Sequence, residues 1–291
     1  MAALSGIDCV GENVPLAERT WFKLGGAAQY FAEPATVDEL QAVVQRCRDE
    51  GLQVRLLGGG SNVLVRDEGV TGMVLTLANP VFGDISVSGQ RLIVGGGAKL
   101  ANAVTVAVAA GLAGLEPLVG IPGTMGGALH GNAGTHGGDI GQWAISATVM
   151  TRSGEILERE HDDLVFAYRQ SSLDELVILE AQFELEDEDP TELTKRMQKQ
   201  WIVKKANLPM AHENTGCIFK NPRGMSAGML IDQCGLKGER VGGAEVSQRH
   251  ANFFIAHPGA STKDVLQLVD VVRNRVAERM GVELETEIEI W

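Results

Sequence analysis

The sequence predicts an α+β protein built as two or three subdomains, and three observations carry that reading. The chain has 291 residues, more than a single hydrophobic core usually serves. Helix-period apolar stripes are interspersed with runs of short β segments. Between residues 120 and 138 the chain is nearly stripped of bulky side chains. Glycine at that density is kept where φ must be positive or where a ligand lies against the main chain. A flexible linker is the other reading, but Ile121, Pro122, Met125, Ala128 and Leu129 are apolar, whereas flexible linkers are polar and rich in Ser.

Composition narrows the function classes. A hydrophobic fraction of 44% with 22% charged residues is that of a soluble globular protein, and no apolar run is long enough to cross a bilayer. The first residues lack the basic start and apolar core of a signal peptide, so a cytoplasmic protein without membrane insertion is expected. Cys9, Cys47, Cys217 and Cys234 are scattered without metal-ligand spacing, which predicts reduced thiols and no metal site. A net charge of −13 argues against nucleic acid as a partner, since phosphate neutralisation needs clustered Lys and Arg. A few placed cations would still serve an anionic small ligand.

In chain order, residues 13–26 read as an extended segment leading to a strand at Tyr30-Phe31. Thr36 and Glu39 form a capping box for a helix with Leu40, Val43, Val44 and Cys47 on one face, ended by Gly51. Residues 54–57 make a strand that runs into Gly58-Gly59-Gly60-Ser61-Asn62. A glycine turn at the carboxyl end of a strand is where α/β folds bind phosphates, because successive N–H groups converge there. It matches neither a dinucleotide fingerprint nor a phosphate loop with Lys, and a hairpin turn is the competing reading. From Met73 onward short β segments follow at 73–77, 85–88 and 91–94, then a small apolar helix from about residue 100 to 110. Residues 145–150 and 155–158 flank Ser153-Gly154 as a hairpin, and 177–185 is a longer strand.

Asp189-Pro190 opens the next helix as N-cap and first helical residue, with Leu193, Met197, Gln200, Trp201 and Lys204 along it to about Asn207. Beyond it lie a loop at 215–222, a short helix near 227–234 and a strand at 253–256. A last helix is capped by Ser261 and Asp264 and closed by Gly281, with Val265, Leu268, Val269, Val272 and Val276 as its buried stripe. Residues 283–291 alternate as a returning strand, with Glu283, Glu285, Glu287 and Glu289 opposite Leu284, Ile288 and Ile290. Two residues stand out chemically. Cys217 sits beside Gly216 with Lys220 near in sequence, where a cation would favour thiolate, though an ordinary free cysteine is the simpler reading of the residues alone, since placing a partner such as His212 or His250 needs a structure. Arg169 could clamp a carboxylate or phosphate, or form a surface ion pair.

Ordered motifs along nearly the whole chain resemble the UDP-N-acetylenolpyruvoylglucosamine reductase family. They are Thr20-Trp-Phe-Lys-Leu-Gly-Gly26, Gly58-Gly-Gly-Ser-Asn-Val-Leu64, Gly120-Ile-Pro-Gly-Thr-Met-Gly-Gly127 with Asn132-Ala-Gly134, Tyr168-Arg-Gln-Ser171 and Gly216-Cys-Ile-Phe-Lys-Asn-Pro222. Gly235-Leu-Lys-Gly238, His250-Ala-Asn-Phe253 and Leu284-Glu-Thr-Glu287 continue the match. The direct passage from the 177–185 strand to the helix after Asp189 resembles the shorter form of the family.

The resemblance implies an α+β fold in which two subdomains hold FAD as in vanillyl-alcohol-type oxidases, and a third α+β subdomain closes over the substrate. On it, residues 1–78, joined by 284–291, and residues 79–189 form the FAD-binding subdomains, and 190–283 the linking helix and substrate-binding subdomain. Gly58, Gly59, Gly60, Ser61 and Asn62 would hold the FAD pyrophosphate. Pro122, Gly123, Thr124, Gly127, Asn132 and Gly134 would lie against the flavin. Arg169, Cys217 and Glu287 are implied catalytic residues, with Glu287 protonated through burial, and Tyr168, Lys220 and Asn221 are implied substrate contacts. NADPH is the implied hydride donor, a UDP-sugar the substrate, and a monomer the expected state. Two departures are noted: Cys217 stands where the family usually has a proton-donating serine, and Thr286 where proline is common. The alternatives are another FAD-dependent oxidase or dehydrogenase of this fold, or a flavin-binding protein without turnover.

Overall fold

The computed structural model describes residues 7–135, 137–209 and 214–291. His136 and His212 lie outside the described residues. In chain order the elements are β1 (Val10–Pro15), β2 (Ala27–Ala32), α1 (Val37–Asp49), β3 (Val54–Leu56), β4 (Val63–Leu64), β5 (Val70–Leu75), β6 (Ile85–Ser88), β7 (Arg91–Gly95), α2 (Leu100–Ala109), β8 (Leu112–Ala113), α3 (Met125–His130), β9 (Gly134–Thr135) and β10 (Gly138–Asp139). They continue with β11 (Ala144–Met150), β12 (Ile156–Glu160), β13 (Phe166–Ala167), β14 (Gln170–Ser171), β15 (Val177–Glu184), β16 (Glu186–Asp187), α4 (Pro190–Asn207), α5 (Ala227–Gln233), β17 (Arg240–Val241), β18 (Ala244–Val246), β19 (Phe254–Ala256), α6 (Thr262–Met280) and β20 (Glu289–Ile290). The chain divides into two compact units. One holds the described residues up to 12 with 29–59 and 71–203; the other holds 13–28, 60–70 and the described residues from 204 on.

The first unit has two cores. One lies between α1 and the sheet of order β1-β2-β5-β3, where Leu40, Val43, Val44 and Cys47 pack on Ala32, Met73 and Leu75. Four residues at helical spacing give α1 a continuous apolar stripe, so burying that one face is what fixes it on the sheet. Its entry differs from the expected reciprocal capping box. Thr36 Oγ1 accepts the Glu39 N–H, but Glu39 Oε2 reaches back past Thr36 to the N–H of Ala35. The second core lies on an antiparallel five-stranded sheet, β12-β11-β15-β7-β6, covered by the apolar faces of α2 and α3. Ser153-Gly154 makes the expected turn between β11 and β12, with Gly154 at φ +83°.

In the second unit the antiparallel sheet β17-β18-β19 carries α6, whose apolar stripe from Val265 to Val276 is buried with Phe254, Ile218 and Leu284. The caps of α6 follow the sequence. Ser261 and Asp264 exchange the two bonds of a capping box, and Gly281 closes the helix in the left-handed conformation. The C-terminal strand is shorter than its alternation suggests. Leu284 and Ile288 are buried, but only Glu289–Ile290 pair with a strand, parallel to β4, and Ile290 is exposed. Alternation specifies two faces; it does not provide a partner along the whole length, and here the neighbouring β4 is itself only two residues long.

Candidate functional site

The strand-end glycine turn is not a hairpin. β3 runs parallel to β5, whereas β4 pairs with β20 in a different sheet. The last ladder contact before the turn is Leu57 N–H on Leu75 O. After it, the main-chain N–H groups of Gly58, Gly59, Gly60, Ser61 and Asn62 donate to no protein acceptor among the described residues. Consecutive N–H groups that stay unsatisfied in the protein form a ready anion cradle. The glycines are required by close approach. A Cβ on Gly58 would fall 2.8 Å from Thr124 Oγ1, one on Gly59 2.7 Å from Gly123 Cα, and one on Gly60 2.1 Å from Arg19 O.

The second glycine stretch supplies a different surface. Gly123, at φ +111°, and Thr124 also keep their N–H groups from protein acceptors among the described residues. The next three are engaged: Met125 N–H on Ala98 O, Gly126 N–H on Gly96 O, and Gly127 N–H on the Thr124 hydroxyl. Gly127 therefore leaves no main-chain donor free. These loops fit a pyrophosphate-bearing cofactor, because the unsatisfied donors are main-chain groups and the glycines let the two loops approach each other closely.

Further along, Asn132 and Gly134 meet the segment that carries Arg169. Phe166–Ala167 and Gln170–Ser171 form a short hairpin, leaving Tyr168 and Arg169 at its tip. Arg169 has φ +57°, a conformation costly for a side chain of its size, and its guanidinium lies 5.4 Å from the centre of the exposed Tyr168 ring. Its Nη1 donates to Gly134 O at 3.3 Å. Asn132 is buried, and its side chain bonds inside the protein: Nδ2 to Ala167 O at 2.9 Å, and Oδ1 from Gly141 N–H at 3.1 Å.

In the second unit the Cys217 segment is held between two others. Cys217 forms an isolated antiparallel bridge to Phe253, and Phe219 one to Thr286. Glu287 N–H donates to Ile218 O at 2.8 Å, so the half-buried Glu287 and Cys217 stand on adjacent, hydrogen-bonded segments. Asn62 reaches the same place, its Nδ2 donating to Glu287 O at 3.1 Å, while its main-chain N–H belongs to the glycine turn. Lys220 was expected as a cation near Cys217; its Nζ sits 2.5 Å from Glu285 Oε1. The Asn221 carboxamide accepts the Ala227 N–H at the start of α5. His250 turns its Nδ1 to the Asn252 N–H and its ring onto Phe253 at 4.8 Å. Burial and the nearby charge of Lys237 hold this histidine below its ordinary value.

Sequence reasoning assigned no role to Asn252, which is buried and clamps Phe219 through both its main-chain groups. The signal was an asparagine inside an apolar run, since a buried carboxamide is kept where it has partners. A cavity of about 560 Å³ in the first unit, with Trp143, His161, Glu184 and Asp187 in its wall, contains none of the residues above.

Comparison with known proteins gives concordant matches. Residues 208–291 match the family described as UDP-N-acetylenolpyruvoylglucosamine reductase, C-terminal domain, and residues 28–159, which include both glycine loops, match the FAD binding domain. UDP-N-acetylenolpyruvoylglucosamine reductase of Rhodopirellula baltica is 39% identical over 97% of this chain and 92% of its own. That of Exiguobacterium sibiricum is 41% identical over 96% and 91%. The crystal structure of the Thermus caldophilus enzyme superposes with a TM-score of 0.82 at 37% identity, covering 96% of this chain and 97% of that one.

Proposed function

The chain belongs to the UDP-N-acetylenolpyruvoylglucosamine reductase family, and on that premise we propose that it reduces UDP-N-acetylglucosamine enolpyruvate to UDP-N-acetylmuramate in peptidoglycan precursor synthesis, with FAD bound and NADPH as hydride donor. The observation that supports this best is the main-chain hydrogen bond from Glu287 to Ile218, which joins the segment that carries Glu287 to the one that carries Cys217, though the two are far apart in sequence. A loop that only holds flavin needs neither.

FAD, when bound, supplies the hydride for the enolpyruvyl methylene carbon. The chain's own residues manage the charge and the proton. Negative charge then grows toward the substrate carboxylate, and the Arg169 guanidinium, presented at a hairpin tip, stabilises it through charge-assisted bonds. Cys217 protonates the adjacent carbon: its S–H bond breaks, the new C–H bond forms, and the thiolate recovers a proton from solvent. A thiol of pKa about 8.5 is acidic enough to do this rapidly. Glu287, in its protonated form, donates a hydrogen bond to the developing enolate. Tyr168, Lys220 and Asn221 hold the substrate. Lys220 exchanges Glu285 for a substrate phosphate at small cost, since Glu285 is mostly exposed and an exposed pair is worth about 0–1 kcal/mol.

In this reading residues 1–78 with 284–291, and residues 79–189, serve the flavin, and 190–283 serve the substrate. The enzyme acts as a monomer in the cytoplasm, without nucleic-acid partners or membrane insertion; among the described residues no helix is long and apolar enough to cross a membrane. The test is direct. The purified protein is expected to carry flavin absorbance, to bleach with NADPH under anaerobic conditions, and to recover colour on adding the enolpyruvyl substrate. Bleached protein that stays reduced with that substrate would overturn the assignment.

A further inference from the structure

The Arg169 hairpin cannot hold its tip by itself. Its ladder is two residues on each side, too short to be stable alone, and Arg169 occupies a left-handed conformation that its side chain disfavours. What holds the tip comes from the loop after α3. Asn132, 4% exposed and itself at φ +40°, donates from Nδ2 to Ala167 O, the residue before the tip. Its Oδ1 takes the Gly141 N–H, and Gly141 is pressed against the same hairpin, since a Cβ there would lie 2.2 Å from the Phe166 ring. Ser171 Oγ on His130 O at 2.9 Å and Arg169 Nη1 on Gly134 O at 3.3 Å run alongside. Asparagine suits this position twice over, because it tolerates positive φ and carries a donor and an acceptor on one short side chain.

We propose that Asn132 is a positioning residue, which fixes the Arg169 hairpin to the loop that lies against the flavin and sets where the guanidinium stands. Its side chain acts through Arg169 and not on the cofactor. The proposal rests on the reading of Arg169 as the group that binds the substrate carboxylate.

Two variants of the holoenzyme test it. Asn132→Asp keeps the acceptor for Gly141 but loses the donor and turns a carboxylate oxygen toward Ala167 O; Asn132→Gly keeps the positive φ and removes both bonds. FAD retention and reduction by NADPH are expected within about twofold of wild type. Reoxidation by the enolpyruvyl substrate, and affinity for UDP-N-acetylmuramate read by calorimetry, are expected to fall about tenfold. Residues that act through one another are non-additive, so in an Arg169→Ala background the same Asn132 change is expected to add less than about twofold. Losses that multiply in the double variant overturn the proposal, as does selective loss of FAD from either variant, or failure of both to fold. If wild-type protein is not reoxidised by the substrate, it is the assigned reaction that fails, and the calorimetric comparison still decides whether Asn132 acts through Arg169.

Discussion

Two of the four cysteines illustrate how position decides chemistry. Cys47 lies fully inside the α1 core, and burial pushes its thiol up to about 11, so at pH 8 it should remain unmodified by iodoacetamide while the protein is folded. Cys217 sits half-buried beside the Glu287 segment and should be the thiol whose alkylation stops turnover. Peptide mapping after partial labelling checks both expectations. As proton donor, Cys217→Ala should lose about 100-fold or more in product formation with flavin reduction intact, while Cys217→Ser should keep most activity and lose iodoacetamide sensitivity. Product formation at the wild-type rate in Cys217→Ala would remove it from the mechanism. Arg169→Lys keeps the charge but not the planar fork, and reoxidation by substrate should slow by about 10²-fold in stopped-flow traces. Glu287→Gln should slow the same step; an unchanged rate would shift the role to Glu285, although Glu285 is exposed and paired with Lys220.

At the level of elements, the helices were the most legible part of the sequence, because caps and stripes are local. Ser261 and Asp264, the Val265-to-Val276 stripe and Gly281 gave α6 its start, buried face and end. Ser261→Ala should cost about 1 kcal/mol in chemical denaturation, the usual loss for an N-cap. The glycine loops were legible as places of close approach, but not in what approaches. Gly58 and Gly59 meet Thr124 and Gly123, a contact between stretches that no local pattern links. Gly59→Ala should therefore push the loops apart and lower FAD occupancy of the purified protein, read from the flavin-to-protein absorbance ratio. Full occupancy in that variant would show that the cradle tolerates a methyl group. The C-terminal strand was the least legible, since pairing depends on a neighbour whose length the alternation cannot specify.

For the molecule as a whole, acid stability follows from carboxylates held below their ordinary values. Burial alone would raise Glu245, but hydrogen bonds from His257 and Arg240 outweigh it and lower its pKa. Asp264 is lowered by the N–H groups of Ser261 and Gly243. A carboxylate depressed in the folded state stabilises it above the unfolded pKa and loses that contribution as pH falls through the folded value. Glu245→Gln should thus destabilise the protein at pH 7 and much less at pH 3; an equal loss at both would refute the ionic account. FAD binds only folded protein, so loading at about 100 times its Kd should raise stability by about 2.7 kcal/mol and lift Tm accordingly. The sequence by itself determined the α+β class, the helix ends, the glycine loops and the motifs that identify the family, because those are written in local spacing and residue type. Only the tertiary structure decided that the side chains of Asn62 and Asn132 bond to Glu287 and to the Arg169 hairpin, that Lys220 pairs with Glu285, and that the Glu287 segment lies beside the Cys217 segment. Those are hydrogen bonds across long sequence separations, formed when packed segments bring unsatisfied groups within reach, and no local pattern encodes which groups will meet.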